Sequence, residues 1–264
     1  MSLPFLRQLS GHQRTSQSNR QLGGFLCFVA GAINAGGFLA VLQYTSHMTG
    51  IVSTIADQVA LGDQMLALSG ISALLSFVCG AALSAVLVNW GRRRELHSQY
   101  AAPLLLEAVL LIGFGVMGGS FPRTTGAFVP LAVMLLCFIM GLQNAIITKV
   151  SHAEIRTTHV TGLVTDIGIE LGKLIYWNDR RHGADHPPVR ADRDHLALLM
   201  ILLCLFFLGG VAGGFAFHRY GYLATLPFAF MLIVVSVVPV ADDVAPRLVR
   251  WKRRNLTKRP TDST

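Results

Sequence analysis

Two copies of one short polar motif interrupt an otherwise apolar sequence and carry most of its chemistry. Residues 45–50 read Thr-Ser-His-Met-Thr-Gly, and residues 157–162 read Thr-Thr-His-Val-Thr-Gly. A threonine at a helix start can accept a hydrogen bond from a free backbone N–H group, and a glycine lets a backbone or a ligand approach closely. The free N–H groups, with the helix dipole, attract anions. A histidine beside them can exchange a proton near neutral pH. The duplication therefore predicts one solute site that both copies build.

The remaining predicted binding residues lie in the helix that precedes each motif. These helices share the pattern Cys-Phe-x-x-Gly-x-x-Asn-Ala, over residues 27–35 and 137–145. An asparagine inside an apolar helix needs a partner, because an unpaired buried amide costs about 1–3 kcal/mol. We expect the substrate-binding residues to be Asn34, His47, Thr49, Gly50, Asn144, His159, Thr161 and Gly162.

Simpler interpretations of these residues stay open. The Thr-Gly pairs can serve only as helix caps and turns, with both histidines bonded to nearby carbonyl groups. The asparagines can serve only to bond neighbouring helices. Because the two copies occur in register, the solute site is the leading hypothesis.

Ionisable residues within apolar segments are candidates for proton or ion coupling. We name His47, Glu107, His159 and Asp166 for this role. For Glu107, the alternative is a side chain that reaches back towards the arginines at 92–94. Asp166, Glu170 and Lys173 share one helical face, either the solvated side of an interfacial helix, which is favoured, or the wall of a water-filled vestibule.

The composition indicates an integral membrane protein. The chain has 264 residues, of which 52% are hydrophobic and 14% charged, whereas an ordinary soluble domain has about 25% charged residues. Runs of about 20 apolar residues can cross roughly 30 Å of hydrocarbon as helices. They occur at 22–42, 66–89, 101–119, 127–148, 196–217 and 221–240.

The basic residues decide the topology, because they favour the cytoplasmic side. The apolar run 51–61 is too short to cross, and the arginines at 92–94 lie inside only if that run is re-entrant. The same argument applies to residues 158–175. We therefore predict an all-α polytopic protein with about six transmembrane helices in two inverted repeats, each with a re-entrant half-helix.

Both termini are predicted to be cytoplasmic. The predicted divisions are a cytoplasmic tail (1–21), a first membrane repeat (22–119), a second membrane repeat (127–240) and a basic cytoplasmic tail (241–264). The third element of each repeat carries a similar pattern, Phe77-x-x-Gly80 and Phe206-x-x-Gly209. Small residues at these positions predict close helix crossings.

Several function classes find no support in the sequence. It contains no Gly-x-Ser-x-Gly, His-Glu-x-x-His, Walker-type loop or Cys-x-x-Cys pattern, so we expect neither an enzyme nor a bound metal or cofactor. The formal charge of +8 would suggest nucleic acid in a soluble protein. Here the basic residues lie in loops and tails, so we expect no nucleic-acid partner.

The two motifs and their preceding helices resemble the YoaK-like family of bacterial membrane proteins, which carry a domain of unknown function. The resemblance rests on residues 30–39 and 46–50 in the first half, and on 140–145 and 157–162 in the second. It implies an inner-membrane protein with about six helices and no established activity. Family members often have Asp where this chain has Asn34, and Asn where it has Ile51, so the resemblance implies a weaker charge-dependent role at these positions here.

The sequence therefore predicts a transporter or channel for a small polar or anionic solute in the bacterial inner membrane. The alternative is a non-transporting scaffold or sensor whose basic tail, over 247–259, binds anionic lipid or a soluble partner. The lipid bilayer and the solute are the expected partners, and an oligomer is compatible with the sequence.

Overall fold

The computed structural model describes residues 16–96, 98–120, 128–151, 155–177 and 188–256, and within these ranges all regular structure is helical. An all-α polytopic protein was predicted, and this coarse description is confirmed. The elements are α1 (Ser16–Val41), α2 (Met48–Leu61), α3 (Gln64–Arg93), α4 (Ala101–Ser120), α5 (Phe128–Val150), α6 (Val160–Ile175), α7 (Arg193–Tyr220), a 3₁₀ turn (Gly221–Ala224) and α8 (Thr225–Leu256).

Five candidate membrane spans lie within the described residues. Four correspond to α1, α3, α4 and α5, and the fifth is a segment of 45 residues, Arg193–Val237, that contains α7, the 3₁₀ turn and the start of α8. Their apolar side chains remain exposed over much of the outer surface, as lipid contact requires. The chain is a multi-pass membrane protein.

Helices α2 and α6, which begin in the two motifs, are shorter than the spans. They contain 14 and 16 residues, so at 1.5 Å per residue they extend about 21 and 24 Å. Helix α2 packs on α3, and α6 packs on α7. Each short helix therefore lies against the third element of its own half.

The helices of the two halves meet at two glycine crossings. Where α1 crosses α7, a Cβ atom on Gly31 would overlap the carbonyl oxygen of Phe206, and a Cβ atom on Gly209 would overlap that of Phe28. The backbones are so close that only glycine fits. Such contact gains dispersion energy and lets Cα–H groups meet carbonyl oxygens, in a lipid environment that offers little hydrophobic driving force.

The crossing of α3 and α5 repeats this arrangement. A Cβ atom on Gly80 would overlap the carbonyl oxygen of Phe138, and one on Gly141 would overlap that of Phe77. The two crossings therefore consist of equivalent contacts, in which the first and second halves of the chain have changed places. The close helix contacts that the Phe-x-x-Gly patterns predicted are present, and each joins one half to the other.

Contacts along the helices define their relative directions. On α1, Gly24 lies near Leu205 and Gly36 near Phe217, so α1 and α7 run parallel. Gly23 lies near Ile147, at the end of α5, whereas Gly37 lies near Leu136, in its first half. Helices α1 and α5, the first of each half, are therefore antiparallel.

The last helix of each half packs against its counterpart. The Thr225 hydroxyl on α8 donates a hydrogen bond to the carbonyl oxygen of Leu111 on α4, at 2.9 Å. Tyr222 contacts Phe114 edge to face, with ring centroids 5.5 Å apart. Helix α8 then continues to Leu256, past the predicted division at residue 240.

The glycine crossings predict opposite effects for two substitutions on one helix. Gly209→Ala places a methyl group against the Phe28 carbonyl, so we expect it to lower the free energy of unfolding by about 1–3 kcal/mol. Gly214→Ala, also on α7, meets no atom within 4 Å, so it should be neutral or stabilising by up to about 1 kcal/mol. Thermal unfolding in detergent measures both, and equal effects would show that the crossing is not tight.

Candidate functional site

The two motifs adopt the same local structure. His47 and His159 occupy the N-cap positions of α2 and α6, with φ/ψ of −89°/71° and −85°/59°, and neither side chain makes a capping hydrogen bond. The helices begin at Met48 and Val160, so Thr49 and Thr161 lie in the first turn. The interpretation in which the threonine caps the helix was wrong, because the capping position belongs to the histidine two residues before it.

The first-turn backbone N–H groups stay open in both motifs. The N–H groups of Ile51 and Leu163 bond to the carbonyl oxygens of His47 and His159. No described residue accepts a hydrogen bond from the N–H groups of Thr49, Gly50, Thr161 or Gly162. Two helix N-termini therefore present free donors and the positive ends of their dipoles.

The glycine of each motif makes room for the histidine. A Cβ atom on Gly50 would overlap the imidazole ring of His47, and one on Gly162 would overlap that of His159. Each ring therefore lies over the first turn of its own helix. The sequence interpretation assigned these glycines to the approach of a ligand, whereas the structure shows that they accommodate the ring.

Asn34 and Asn144 anchor the two motifs. The Asn34 Oδ1 accepts hydrogen bonds from the backbone N–H and the hydroxyl of Ser46, at 3.2 and 2.8 Å. The Asn144 Oδ1 accepts a bond of 2.6 Å from the hydroxyl of Thr158, and its Nδ2 donates to the Met140 carbonyl at 2.7 Å. Ser46 and Thr158 are equivalent in the repeat, so each half uses the same link.

A cavity of about 530 Å³ lies between the two motifs. Six of the eight predicted residues line it, and Gly50 and Gly162 do not. The lining residues are Asn34, Tyr44, Ser46, His47, Met48, Thr49, Phe77, Asn144, Thr148, Arg156, Thr158, His159, Val160, Thr161 and Phe206.

The lining is almost entirely made of pairs that the repeat relates. The two asparagines occupy equivalent positions in the two halves, and so do the two histidines. Thr49 is likewise equivalent to Thr161, and Phe77 to Phe206. The one pair that differs in charge is Tyr44 and Arg156, each of which directly precedes the first threonine of its motif. Arg156 carries the only formal charge among the described lining residues, since no aspartate or glutamate is present.

Arg156 and the two phenylalanines were not among the predicted site residues. The sequence interpretation treated Arg156, like the other basic residues, only as an indication of which side of the membrane is cytoplasmic. It treated Phe77 and Phe206 only as parts of a helix-packing pattern. A signal was available for all three. Arg156 adjoins a motif, and the phenylalanines occupy equivalent positions in the two halves.

Two further cavities adjoin the central one on its two sides. A cavity of about 400 Å³ among α1, α2 and α3 shares Tyr44 and His47 with it. A cavity of about 470 Å³ between α6 and α7 shares Arg156, His159 and Thr161 with it. A histidine therefore lies at each junction.

The structure separates the four residues named for proton or ion coupling. His47 and His159 line the central cavity, and Asp166 lines the flanking cavity between α6 and α7. Glu107 on α4 is fully buried, neither carboxylate oxygen has a hydrogen-bond partner among the residues that the structure describes, and it lines none of these cavities. It does not reach back towards the arginines at 92–94.

Glu170 is buried rather than solvated, contrary to the favoured interpretation of its helix face. Its Oε1 bonds to the Nζ of Lys173 at 2.6 Å, and its Oε2 accepts a bond from the backbone N–H of Asp192 at 2.8 Å. These hydrogen bonds, that of Lys173 first, lower the pKa of the Glu170 carboxyl below its usual value. At neutral pH the ionised carboxylate ties α6 to the beginning of α7, and this link weakens as the pH falls through the lowered pKa.

Comparisons with known proteins agree with this architecture. The family described as Protein of unknown function (DUF1275) matches residues 22–238. The chain belongs to this family. It is 27% identical to the UPF0700 transmembrane protein YoaK of Bacillus subtilis (strain 168) over 184 residues, which cover 68% of this chain and 77% of YoaK. No solved structure is significantly similar to it.

The predicted membership of a YoaK-like family is thereby confirmed. The DUF1275 match includes both motifs and the helices before and after each of them. The matching proteins are described as transmembrane and of unknown function. The chemistry of the cavity must therefore be argued from its own residues.

The asparagine anchor predicts a local loss of order on substitution. Asn144→Ala removes the acceptor for Thr158, so we expect a loss of about 1 kcal/mol of stability and faster hydrogen exchange at the amides of residues 157–162. Asn89→Ala is the control, because Asn89 is exposed and accepts only a bond of 3.2 Å from Lys149. Unchanged exchange in the Asn144 variant would mean that packing alone holds the motif.

The burial of Glu107 predicts tolerance of a neutral isostere. Glu107→Gln keeps the shape of the side chain and cannot ionise, so we expect a thermal unfolding midpoint at least as high as that of the wild type. Glu95→Gln, an exposed position after α3, should change stability by less than about 0.5 kcal/mol. A clear loss of stability in Glu107→Gln alone would indicate that a charged carboxylate stabilises the fold.

Proposed function

We propose that this DUF1275 protein is a transporter or channel for a small anionic solute, which binds in the central cavity. The observation that carries the proposal is the charge of that cavity. Arg156 and two open helix N-termini contribute positive potential, and no described lining residue contributes a carboxylate. Donors of this kind, held in place by the fold, select for an anion.

The geometry of the motifs supports an anion site that exists before the ligand arrives. Asn34 and Asn144 hold the two motifs through short hydrogen bonds. The free N–H groups of Thr49 and Thr161 therefore need little reorganisation to bind a ligand. Preorganisation of this kind lowers the entropic cost of binding.

The flanking cavities support passage through the site rather than binding alone. One adjoins the central cavity at His47, and the other adjoins it at His159. Together the three cavities form a candidate route past two equivalent imidazole rings. In this proposal, movement of one ring opens the central cavity to one side, and movement of the other ring opens it to the opposite side.

The proposal includes two inverted repeats of three crossings each. It is supported by the antiparallel α1 and α5, by the parallel α1 and α7, and by the contacts between equivalent residues of the two halves at both glycine crossings. The segment of 45 residues would extend about 67 Å as one helix, more than twice the hydrocarbon thickness. Division at Gly221, where φ is 61°, makes it two crossings.

Helices α2 and α6 are the re-entrant elements in this arrangement. With the basic segments inside, both termini lie in the cytoplasm and the protein resides in the bacterial inner membrane. The role is that of a carrier or channel and not of an enzyme. Among the described lining residues, the hydroxyl groups of Ser46 and Thr158 bond to asparagines and no hydroxyl group bonds to an imidazole, so no nucleophile is paired with a base there.

A scaffold or sensor is the second candidate, and one observation favours it. Helix α8 continues to Leu256, so the basic residues between 247 and 254 extend a helix beyond the apolar segment. A basic helix at that position suits anionic lipid. Deletion of residues 241–264 should leave solute binding intact if the protein is a carrier, and should abolish partner binding if it is a scaffold.

The charge of the cavity predicts that one arginine controls anion binding. We expect a saturating anion, at about 100 times its dissociation constant, to raise the stability of the wild type by about 2.7 kcal/mol. Arg156→Gln should weaken that anion by about 10- to 100-fold, since it removes a charged hydrogen-bond donor. Thermal unfolding with chloride, nitrate, sulfate, acetate and benzoate, followed by uptake into proteoliposomes, measures both.

Arg219→Gln is the matched control, because Arg219 is exposed near the end of α7 and does not line the cavity. It should leave anion binding unchanged. If no anion shifts the stability of the wild type, the transport proposal fails and the scaffold becomes the better account.

A further inference from the structure

The two sides of the central cavity differ in chemistry at one equivalent pair of positions. Arg156 precedes the second motif, and Tyr44 precedes the first. Both line the central cavity, Tyr44 where it adjoins the flanking cavity at His47 and Arg156 where it adjoins the flanking cavity at His159, so they lie on opposite sides of it. A solute bound between them therefore meets a cation on one side and an aromatic ring on the other.

The cationic side suits a single negative charge. Arg156 is exposed and forms no ion pair with a residue that the structure describes. Its guanidinium group offers parallel donors that match the two oxygens of a carboxylate. Because no second lysine or arginine lines the cavity among the described residues, a dianion would keep one charge without a basic partner.

The remaining surface suits an apolar body. Phe77 and Phe206 are half-buried and line the cavity from α3 and α7, and their backbones are fixed by the glycine crossings. Tyr44 stacks on Phe38, with ring centroids 4.5 Å apart and an angle of 18° between the planes. A strongly hydrated inorganic anion would lose water against these rings without a matching gain.

We propose that the solute is an organic monocarboxylate with a compact apolar body about the size of one ring. Its carboxylate bonds to Arg156 and the nearby helix N-terminus, and its apolar part packs among Phe77, Phe206 and Tyr44. The cavity of about 530 Å³ is within the usual range for small-molecule sites. This inference rests on the proposed function and names the substrate class of the same site.

Benzoate is the probe that tests the inference. Its affinity is compared with that of acetate, which has the charge without the ring, and with that of benzamide, which has the ring without the charge. We expect benzoate to bind at least about tenfold more tightly than either, because burial of a ring adds more than one factor of ten. Isothermal calorimetry on the purified full chain gives the three dissociation constants.

Two matched variants locate the ring. Phe206→Ala should weaken benzoate about fivefold or more and leave acetate unchanged, because it removes apolar surface from the cavity. Phe207→Ala is the control on the same helix, since Phe207 is 67% exposed and does not line the cavity. If Phe206→Ala does not fold, Phe77→Ala tests the equivalent position.

The possible results separate this inference from the proposed function. If acetate, nitrate or sulfate binds as tightly as benzoate and Arg156→Gln abolishes that binding, the anion site stands and the monocarboxylate inference is overturned. If benzamide equals benzoate, or if no anion binds and Arg156→Gln has no effect, the proposed anion site itself fails. Loss of benzoate binding alone in Phe206→Ala, with Phe207→Ala unchanged, supports the inference.

Discussion

Backbone contact at the two glycine crossings brings the halves of this protein together. In lipid, helices gain little from burying apolar side chains against one another, so close packing and weak backbone contacts must hold them. Gly31 against Phe206, with Gly209 against Phe28, joins the start of one half to the third helix of the other. The crossing of α3 and α5 repeats the contact with the halves exchanged. The position of the central cavity follows from these crossings, because Phe206 lies at the first crossing, Phe77 lies at the second, and both line the cavity.

The polar residues near the cavity are organised by a second constraint, the need to satisfy amide groups within apolar helices. Asn34 and Asn144 could not remain unpaired in apolar helices, and each bonds to the loop residue just before the motif histidine. That bond places the histidine at the N-cap and leaves the following N–H groups free. One requirement of stability thus creates the donors that the proposed function uses.

The sequence predicted the helices well because apolar length and charge depend on local composition. Residues 22–42 were predicted as the first span and lie within Ser16–Val41 except for the last residue. The prediction ended the last membrane segment at residue 240, whereas α8 continues to Leu256. Outside the membrane a helix can continue wherever the residues are good helix formers, and the basic segment supplies them.

The site was predicted in part. Duplication pointed to the asparagines, histidines and threonines, six of which line the cavity. Thr49 and Thr161 were considered as caps because threonine is a common cap. In the structure His47 and His159 hold that position, and the residue before each histidine donates a hydrogen bond to an asparagine of the preceding helix. Arg156 lies in a loop, and only the fold places it beside residues of α1, α3 and α7.

The exchange of Arg156 for Tyr44 has a consequence for the energetics of a carrier. Two identical halves would give two conformations of equal free energy, one open to each side, and the protein itself would favour neither. A charge that occurs in only one half removes that degeneracy. The empty protein would then rest with one side open, and an anion that neutralises Arg156 would bring the two conformations closer in energy.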